Sequence, residues 1–294
     1  MRFLLVLSGI LSLSVAVADE ALASPVDGFT CQALTAIMVP GTGESSFDDS
    51  PYSPPIYEEP TIGPMTHYLR DSLAGESVTI WQLPYPGTVL NYQASRQAAM
   101  NKLNAVLPQM LTQCPDARFI IVGFSQGADI AGDMAMNIGN NAGPIPAEKL
   151  AGAALLSDPR RVPGVANDVA PAGQGRGVLI AFQPIFAIAL ELAISHGVDK
   201  FIVDILRDVQ PLGPRPQGFG QVSDRVFSIC AANDPVCDVP VSGVDLLRFP
   251  LLLNRLHAEY VYNPWIVQGL TPTTLLGGMT IPQWLENWIR VLLK

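Results

Sequence analysis

The chain has 294 residues, of which 49% are apolar and only 15% are charged, and its formal net charge is −9 at neutral pH. About a quarter of the residues in an ordinary soluble domain are charged, so this chain is unusually apolar, and its hydrophobicity excludes intrinsic disorder. A nucleic-acid partner is not expected, because there is no basic excess to displace counterions from phosphates.

The first segment has the features of a secretory signal peptide. Arg2 precedes an apolar run over residues 3–18, and small residues follow at Ala21-Leu22-Ala23. A basic start, an apolar centre and a small-x-small end are typical of a cleaved leader. We therefore expect residues 1–23 to be removed and the protein to be secreted or associated with the cell envelope. Ala16-Val17-Ala18 is a second cleavage pattern, and a retained N-terminal anchor is the alternative.

Short apolar runs alternate with helical patterns along the rest of the chain. Strands are predicted where such runs end at turn signals, over Leu34–Val39, Val78–Leu83, Phe119–Val122, Leu150–Leu156 and Arg225–Ile229. Helices are predicted over Tyr92–Leu107, ending at Pro108, over Ala128–Ile138 and over Ile281–Leu293, with an extended surface loop over residues 41–64. This alternation predicts a single three-layer α/β domain over residues 24–294, with a central, mostly parallel sheet and helices on both faces.

Residues 160–222 interrupt the alternation. They begin and end in Pro- and Gly-rich sequence and contain an apolar stretch, 178–194, that is broken by Gln183, Pro184 and Glu191. This stretch is too short and too interrupted for a membrane span. It is either a hairpin of core helices or a lid-like helical insertion over an active site, since long excursions between elements are often functional.

A candidate nucleophile follows the strand Phe119–Val122. The sequence Gly123-Phe124-Ser125-Gln126-Gly127 matches Gly-x-Ser-x-Gly, in which a tight turn lifts the serine hydroxyl above the sheet edge. The pattern is short enough to arise by chance. Its position between an apolar strand and a helix is what favours a catalytic role for Ser125.

A nucleophilic serine needs a base and an acid. The chain has three histidines, His67, His196 and His257. The order serine, acid, histidine that is typical of α/β-hydrolases favours His257. The acids before it are Asp224, Asp234 and Asp238, of which Asp234 lies in a loop that a local disulfide would hold rigid.

Four cysteines follow the leader, at positions 31, 114, 230 and 237. An even number in an exported chain indicates two disulfides, for which three pairings are possible. A bridge across the short loop between Cys230 and Cys237 would leave Cys31 with Cys114. A zinc site is the rival interpretation, but the chain has no Cys-x-x-Cys pair and no histidine at ligand spacing, so no metal is expected.

An oxyanion formed at Ser125 needs two donors. The backbone N–H of Gln126, at the start of a helix, is one candidate. The other is expected in a loop after an early strand, where Gly41-Thr42-Gly43 offers the N–H and the hydroxyl of Thr42. An ordinary turn is the alternative interpretation of these three residues.

These motifs resemble those of the cutinases and cutinase-like serine esterases. Gly123–Ala128 is similar to the nucleophile motif of that family. Cys114-Pro115, Cys230-x-x-x-Asp234-x-x-Cys237 and His257-x-x-Tyr260 also look like family signatures, so the resemblance runs from about residue 31 to residue 260.

The resemblance implies an α/β-hydrolase fold, a triad of Ser125, Asp234 and His257, and an oxyanion hole at Thr42 and Gln126. It also implies the disulfides Cys31–Cys114 and Cys230–Cys237. Pro40-Gly41-Thr42, in place of the Arg-Gly-Ser or Arg-Gly-Thr of many members, and the long segment 160–222 look more like the cell-envelope branch of mycolic-acid-containing actinobacteria. That branch is associated with phospholipase and thioesterase activity.

The expected function is hydrolysis of acyl esters of lipid-like substrates through an acyl-enzyme, without a cofactor. The expected partners are a lipid or ester substrate and, peripherally, a lipid surface or the cell envelope, and the protein is expected to be a monomer. The alternatives are a phospholipase A or thioesterase that acts on envelope lipids, and a non-catalytic lipid-binding protein on the same scaffold.

Overall fold

The computed structural model describes residues 26–57, 61–169, 173–209, 212–232, 234–239, 257 and 280–294. The expected leader lies outside them. The strands are β1 (Leu34–Val39), β2 (Val78–Gln82), β3 (Arg118–Phe124), β4 (Leu150–Leu156), β5 (Asn167–Asp168) and β6 (Val226–Ile229). The helices are α1 (Ile62–Ser72), α2 (Tyr92–Gln113), α3 (Gln126–Gly139), α4 (Val178–Ala181), α5 (Gln183–Ser195), α6 (Lys200–Val209) and α7 (Ile281–Leu292).

The six described strands form one sheet in the order β2-β1-β3-β4-β6-β5, and every pair of neighbours runs parallel. The predicted parallel sheet is therefore confirmed. Because parallel strands all end at the same edge, the loops after β1, β3, β4 and β6 meet there. The motifs singled out in the sequence follow these strands, so the fold places them together.

Both faces of the sheet are covered, which explains why its strands are continuous apolar runs rather than alternating ones. Phe119 and Ile121 of β3 pack with α2 and α3 on one face. Ile120 and Val122 of the same strand point the other way and pack with α1 and α7. The three layers expected from the sequence are these two helical layers and the sheet between them.

Helix α2 continues through Pro108, so the prediction that it ends there is wrong. Proline removes one i→i−4 hydrogen bond and usually ends or kinks a helix. Here the apolar stripe continues across it, because Leu107 before the proline and Met110 after it are both fully buried. Burial of this stripe in the core outweighs the lost bond, and the helix runs on to Gln113.

Helix α1 begins at Ile62, inside the stretch that the sequence predicts as loop up to residue 64. Pro64 lies in its first turn, where a missing N–H costs nothing because those groups have no intrahelical partner. Gly63 and Pro64 therefore belong to the first turn of the helix and not to the loop.

Residues 160–222 contribute one strand to the sheet and three helices, α4, α5 and α6. Strand β5, which the sequence did not predict, pairs with β6 at the sheet edge. Helix α4 is tied to the carboxyl edge of the sheet, since Val178 N–H donates to the Val236 carbonyl at 2.8 Å and Leu179 N–H to that of Pro159 at 2.9 Å. Within the described part of the chain, no helix is both long and apolar enough for a bilayer crossing.

Candidate active site

Ser125 lies in a strained turn between β3 and α3. Its backbone has φ 53° and ψ −119°, outside the regions that L-residues favour. The turn requires glycine on both sides. A Cβ at Gly123 would lie 2.1 Å from the carbonyl oxygen of Gly127, and one at Gly127 would lie 2.0 Å from that of Val39. The Gly-x-Ser-x-Gly pattern is thus a packing requirement that holds the hydroxyl at the sheet edge.

His257 contacts this hydroxyl directly. Its Nε2 lies 2.8 Å from Ser125 Oγ, and its ring stacks on Phe124 with centroids 4.8 Å apart. On its other side, Nδ1 lies 3.4 Å from Asp234 Oδ1. The other histidines have different contacts, since His67 Nε2 lies 3.0 Å from the carbonyl of Pro54 and His196 Nδ1 lies 2.9 Å from that of Leu192.

Asp234 is buried in the loop that the Cys230–Cys237 disulfide closes. Its Oδ1 accepts the Val236 N–H at 2.8 Å, and this bond orients the carboxylate toward His257. The two competing acids have other contacts. Asp238 accepts the Gly175 N–H, and Asp224 is exposed beside Arg225. The second disulfide joins Cys31 to Cys114.

Ser157 also belongs to the site and was not predicted from the sequence; it is a fully buried residue directly after β4. Its hydroxyl donates to Asp234 Oδ2 at 2.5 Å and lies 3.1 Å from His257 Nδ1. The available signal was positional, because Ser157 ends an apolar strand in the same way that Ser125 does. Without a recognised motif around it, that signal did not separate it from an ordinary turn residue.

The two residues predicted to form the oxyanion hole are adjacent. The Thr42 hydroxyl donates to Gln126 Oε1 at 3.3 Å, and the Gln126 side-chain amide donates to the Thr88 carbonyl at 3.2 Å. Gln126 is the first residue of α3, so its backbone N–H has no intrahelical partner. Tyr85, also missed in the sequence, donates its hydroxyl to the Pro40 carbonyl at 2.6 Å; burial raises the pKa of this tyrosine well above its usual range.

Glu44 fixes the loop that carries Thr42. This buried carboxylate accepts the Gly41 N–H at 2.9 Å and the N–H groups of Thr61 and Ile62 at the start of α1. Burial raises the pKa of Glu44, and these backbone donors oppose the rise. The loop after β1 is therefore held against the first turn of α1 by one side chain.

The described residues contain no group of three or more His, Cys, Asp or Glu side chains arranged to hold a metal ion. The functional groups gathered at the sheet edge are instead a hydroxyl, an imidazole, a buried carboxylate and a helix N-terminus. This set is suited to nucleophilic attack by Ser125 with proton transfer to His257.

Comparisons with known proteins agree with the motifs. A family model described as Cutinase matches residues 58–260. The carboxylesterase Culp6 homolog of Corynebacterium glutamicum is 34% identical over 275 residues, which are 90% of this chain and 82% of that protein. A cutinase of Botryotinia fuckeliana is 27% identical over 150 residues, covering 49% of this chain and 66% of that one. Among solved structures, the catalytic core domain of acetyl xylan esterase from Trichoderma reesei is similar with a TM-score of 0.49 and 18% identity, covering 84% of this chain and 97% of that chain.

Proposed function

The chain belongs to the cutinase family and is a serine ester hydrolase, and we propose that it cleaves acyl esters of lipid-like substrates with a triad of Ser125, His257 and Asp234. The observation that carries the proposal is the 2.8 Å contact between Ser125 Oγ and His257 Nε2, made by a serine in a strained turn at the sheet edge. Strain of this kind persists where the surrounding structure holds a residue for function.

Acylation begins with proton transfer from Ser125 Oγ to His257 Nε2 as the hydroxyl oxygen attacks the ester carbonyl carbon. The imidazolium that forms is stabilised by the buried carboxylate of Asp234. His257 then protonates the departing alcohol oxygen, and the acyl group remains on Ser125. Water, activated by the same histidine, attacks this acyl-enzyme and releases the carboxylic acid.

The tetrahedral intermediate carries its negative charge on the former carbonyl oxygen. The Gln126 N–H at the start of α3 is one donor to that oxygen, and the helix dipole adds to its effect. Thr42 supplies the second donor from the loop that Glu44 holds. The Gln126 side chain spans Thr42 and Thr88, so it holds the loops after β1 and β2 at a fixed distance from the nucleophile.

A lipid-like substrate is supported by exposed apolar side chains in the loop after β2 and on α5. Val89 and Leu90 follow Thr88 and are 42% and 44% exposed. On α5, Ile188 and Leu192 are 58% and 52% exposed. Exposed apolar side chains favour contact with acyl chains or a lipid surface over a polar small molecule. Under this proposal, helices α4–α6 form the lid-like part of residues 160–222.

We also propose that the protein acts outside the cytoplasm or in the cell envelope. Its two disulfides are of the kind that persists in oxidising compartments, and residues 1–23 have a leader's pattern. Both features are consistent with a substrate in envelope lipids or outside the cell.

An active-site label combined with a substrate panel tests the proposed function. A fluorophosphonate is expected to modify the folded protein at Ser125, located by peptide mass spectrometry, and not to modify it in urea, because activation of the hydroxyl depends on His257. The panel consists of p-nitrophenyl esters of increasing acyl length, a phosphatidylcholine and an acyl-CoA thioester.

Hydrolysis that rises with acyl length in the ester series supports a lipid-like substrate, and faster turnover of the phospholipid or the thioester would shift the substrate class accordingly. A protein that binds lipid vesicles but neither reacts with the fluorophosphonate nor hydrolyses any ester would be a binding protein. That result would overturn the proposal.

The two disulfides are expected to differ in what they support. Removing Cys230–Cys237 by paired serine substitutions should lower kcat for a p-nitrophenyl ester about tenfold, because the disulfide closes the loop that orients Asp234. Removing Cys31–Cys114 should leave kcat unchanged. It should cost about 2 kcal/mol more stability, since it closes a loop of 83 residues rather than 7. The melting temperature and kcat of both variants test these two roles. The assignment would be contradicted if removal of Cys230–Cys237 left kcat unchanged and lowered the melting temperature more than removal of Cys31–Cys114 does.

A further inference from the structure

Ser157 occupies, on β4, the position that Ser125 occupies on β3. Both residues directly follow their strands and both have φ 53°. Each N–H donates at 2.9 Å to the neighbouring strand, Ser125 to the Leu156 carbonyl and Ser157 to that of Ile229. A positive φ is unfavourable for residues other than glycine and asparagine. A serine held in this conformation at a buried site suggests that its hydroxyl has a functional role.

The contacts of the Ser157 hydroxyl indicate what this role is. An ionised carboxylate only accepts hydrogen bonds, so the Ser157 proton is directed at Asp234 Oδ2, 2.5 Å away. The lone pairs of Ser157 Oγ then face His257 Nδ1 at 3.1 Å. Each of these two contacts is shorter than the direct separation of 3.4 Å between His257 Nδ1 and Asp234 Oδ1. The hydroxyl therefore lies between the acid and the base.

We propose that Ser157 is a positioning residue that links Asp234 to His257. The inference depends on the proposed triad. The Nδ1–H of His257 donates to Ser157 Oγ, whose own proton goes to Asp234. These two hydrogen bonds keep the ring proton on Nδ1 and leave Nε2 free to accept the proton of Ser125 Oγ. Through them the negative charge of Asp234 stabilises the imidazolium. Ser157 does not touch the reacting atoms and acts through His257.

The test uses Ser157→Ala and Ser157→Gly with a short, water-soluble p-nitrophenyl ester. Both variants are expected to lower kcat by about 10- to 100-fold, less than the roughly 10⁴-fold loss typical when the acid of a triad is replaced by its amide. KM should change by less than about twofold, because the ester does not contact Ser157. Glycine accepts positive φ without strain. Ser157→Gly should therefore melt no lower than Ser157→Ala, so that lost activity is separated from lost stability.

A double-mutant cycle with Asp234→Asn identifies the path. If the hydroxyl acts by linking the acid to the base, then adding Ser157→Ala to Asp234→Asn should cost less than about threefold in kcat. Ser228→Ala is the matched control. Ser228 is also buried on the sheet, but its hydroxyl accepts from Arg161 Nε at 3.1 Å, so the variant should retain wild-type kcat.

Wild-type kcat in Ser157→Gly, or full additivity with Asp234→Asn, would overturn the role of Ser157. In either case, fluorophosphonate labelling of Ser125 in the wild type would leave the proposed triad standing. Failure of that labelling would remove the triad and the role of Ser157 together.

Discussion

Replacing Ser125 with alanine is expected to lower kcat for ester hydrolysis by about 10⁴-fold or more. The loss corresponds to about 5.5 kcal/mol of transition-state stabilisation. The variant keeps the oxyanion donors and the substrate surface but has no atom to form the acyl bond. The measurement is the steady-state turnover of a p-nitrophenyl ester by variant and wild type at equal protein concentration.

The fold is expected to survive this change, because the turn is held by backbone bonds. The Ser125 N–H donates to the Leu156 carbonyl at 2.9 Å, and the Ser125 carbonyl accepts the N–H groups of Ala128 and Asp129. Alanine makes all of these bonds and has the same backbone preferences as serine at this φ. The melting temperature should therefore change little, and the lost activity will report chemistry rather than unfolding.

Ser77→Ala is the matched control. Its hydroxyl accepts the Ala33 N–H and donates to Gln32 at the opposite edge of the sheet, and its removal should leave kcat unchanged. Adding His257→Ala to Ser125→Ala should cost little more than Ser125→Ala alone, since the members of a triad act as a unit. Near-normal turnover by Ser125→Ala would remove Ser125 from the mechanism.

The parallel sheet made most of the site predictable. Apolar runs end directly before Ser125 and before the loop that holds Asp234, and in a parallel sheet such endings meet at one edge. The chain order of serine, acid and histidine then selected His257 from three histidines. The structure brings together the residues that these two arguments chose, at hydrogen-bonding distance between Ser125 and His257.

The features that the sequence did not reveal depend on tertiary contacts. Pro108 looks like a helix end because local chemistry disfavours it there, and only the buried Leu107 and Met110 on either side show why the helix continues. Strand β5 has two residues and lacks a periodic pattern. Ser157 becomes visible only when Asp234 and His257, distant in sequence, are placed next to it.

The turn after β4 is also part of a buried network of ion pairs, which joins helix α3 to residues 158–215. Three arginines and three aspartates take part, namely Arg96, Arg160, Arg215, Asp129, Asp133 and Asp158. The charges balance within the network. Asp129 and Asp133 lie on α3, directly behind Ser125, so the network fixes the helix whose N-terminus faces the reaction.

Arg215 contacts all three aspartates of this network. Its guanidinium donates to Asp133 Oδ1 at 2.9 Å, to Asp158 Oδ2 at 2.6 Å and to the Asp129 carbonyl at 3.0 Å. A Cβ at Gly132 would lie 2.3 Å from Arg215 Nη2, so only glycine lets the guanidinium lie against α3. Burial disfavours the charged form of Arg215, but Asp158 and Asp129 outweigh it and raise the pKa.

Replacing Arg215 with methionine is therefore expected to destabilise the protein by about 3–5 kcal/mol. The methionine keeps much of the side-chain volume but leaves buried carboxylates without their partner, which costs far more than loss of an exposed pair. At about 2–4 °C per kcal/mol for a domain of this size, the melting temperature should fall by about 10 °C. Calorimetry at neutral pH measures both quantities.

The matched control is Arg207→Met, because Arg207 is 59% exposed and its contact with Asp204 is a surface pair, whereas Arg215 is 4% exposed. The control should lose less than about 0.5 kcal/mol. Equal losses in the two variants would show that the buried network adds nothing beyond an ordinary surface charge.

The pH dependence of stability gives the network a second, independent test. Burial alone would raise the pKa of Asp129, but Arg96, Arg160 and Arg215 together lower it below the ordinary value. A carboxyl with a lowered folded-state pKa stabilises the native state above its unfolded pKa, and this stability is lost as the pH falls through the folded value. Wild type should thus lose stability below about pH 4. In Arg215→Met the free energy of unfolding should fall less steeply over the same pH range, because one of the arginines that stabilise the ionised form of Asp129 has been removed. An unchanged slope would mean that Arg215 does not act on Asp129.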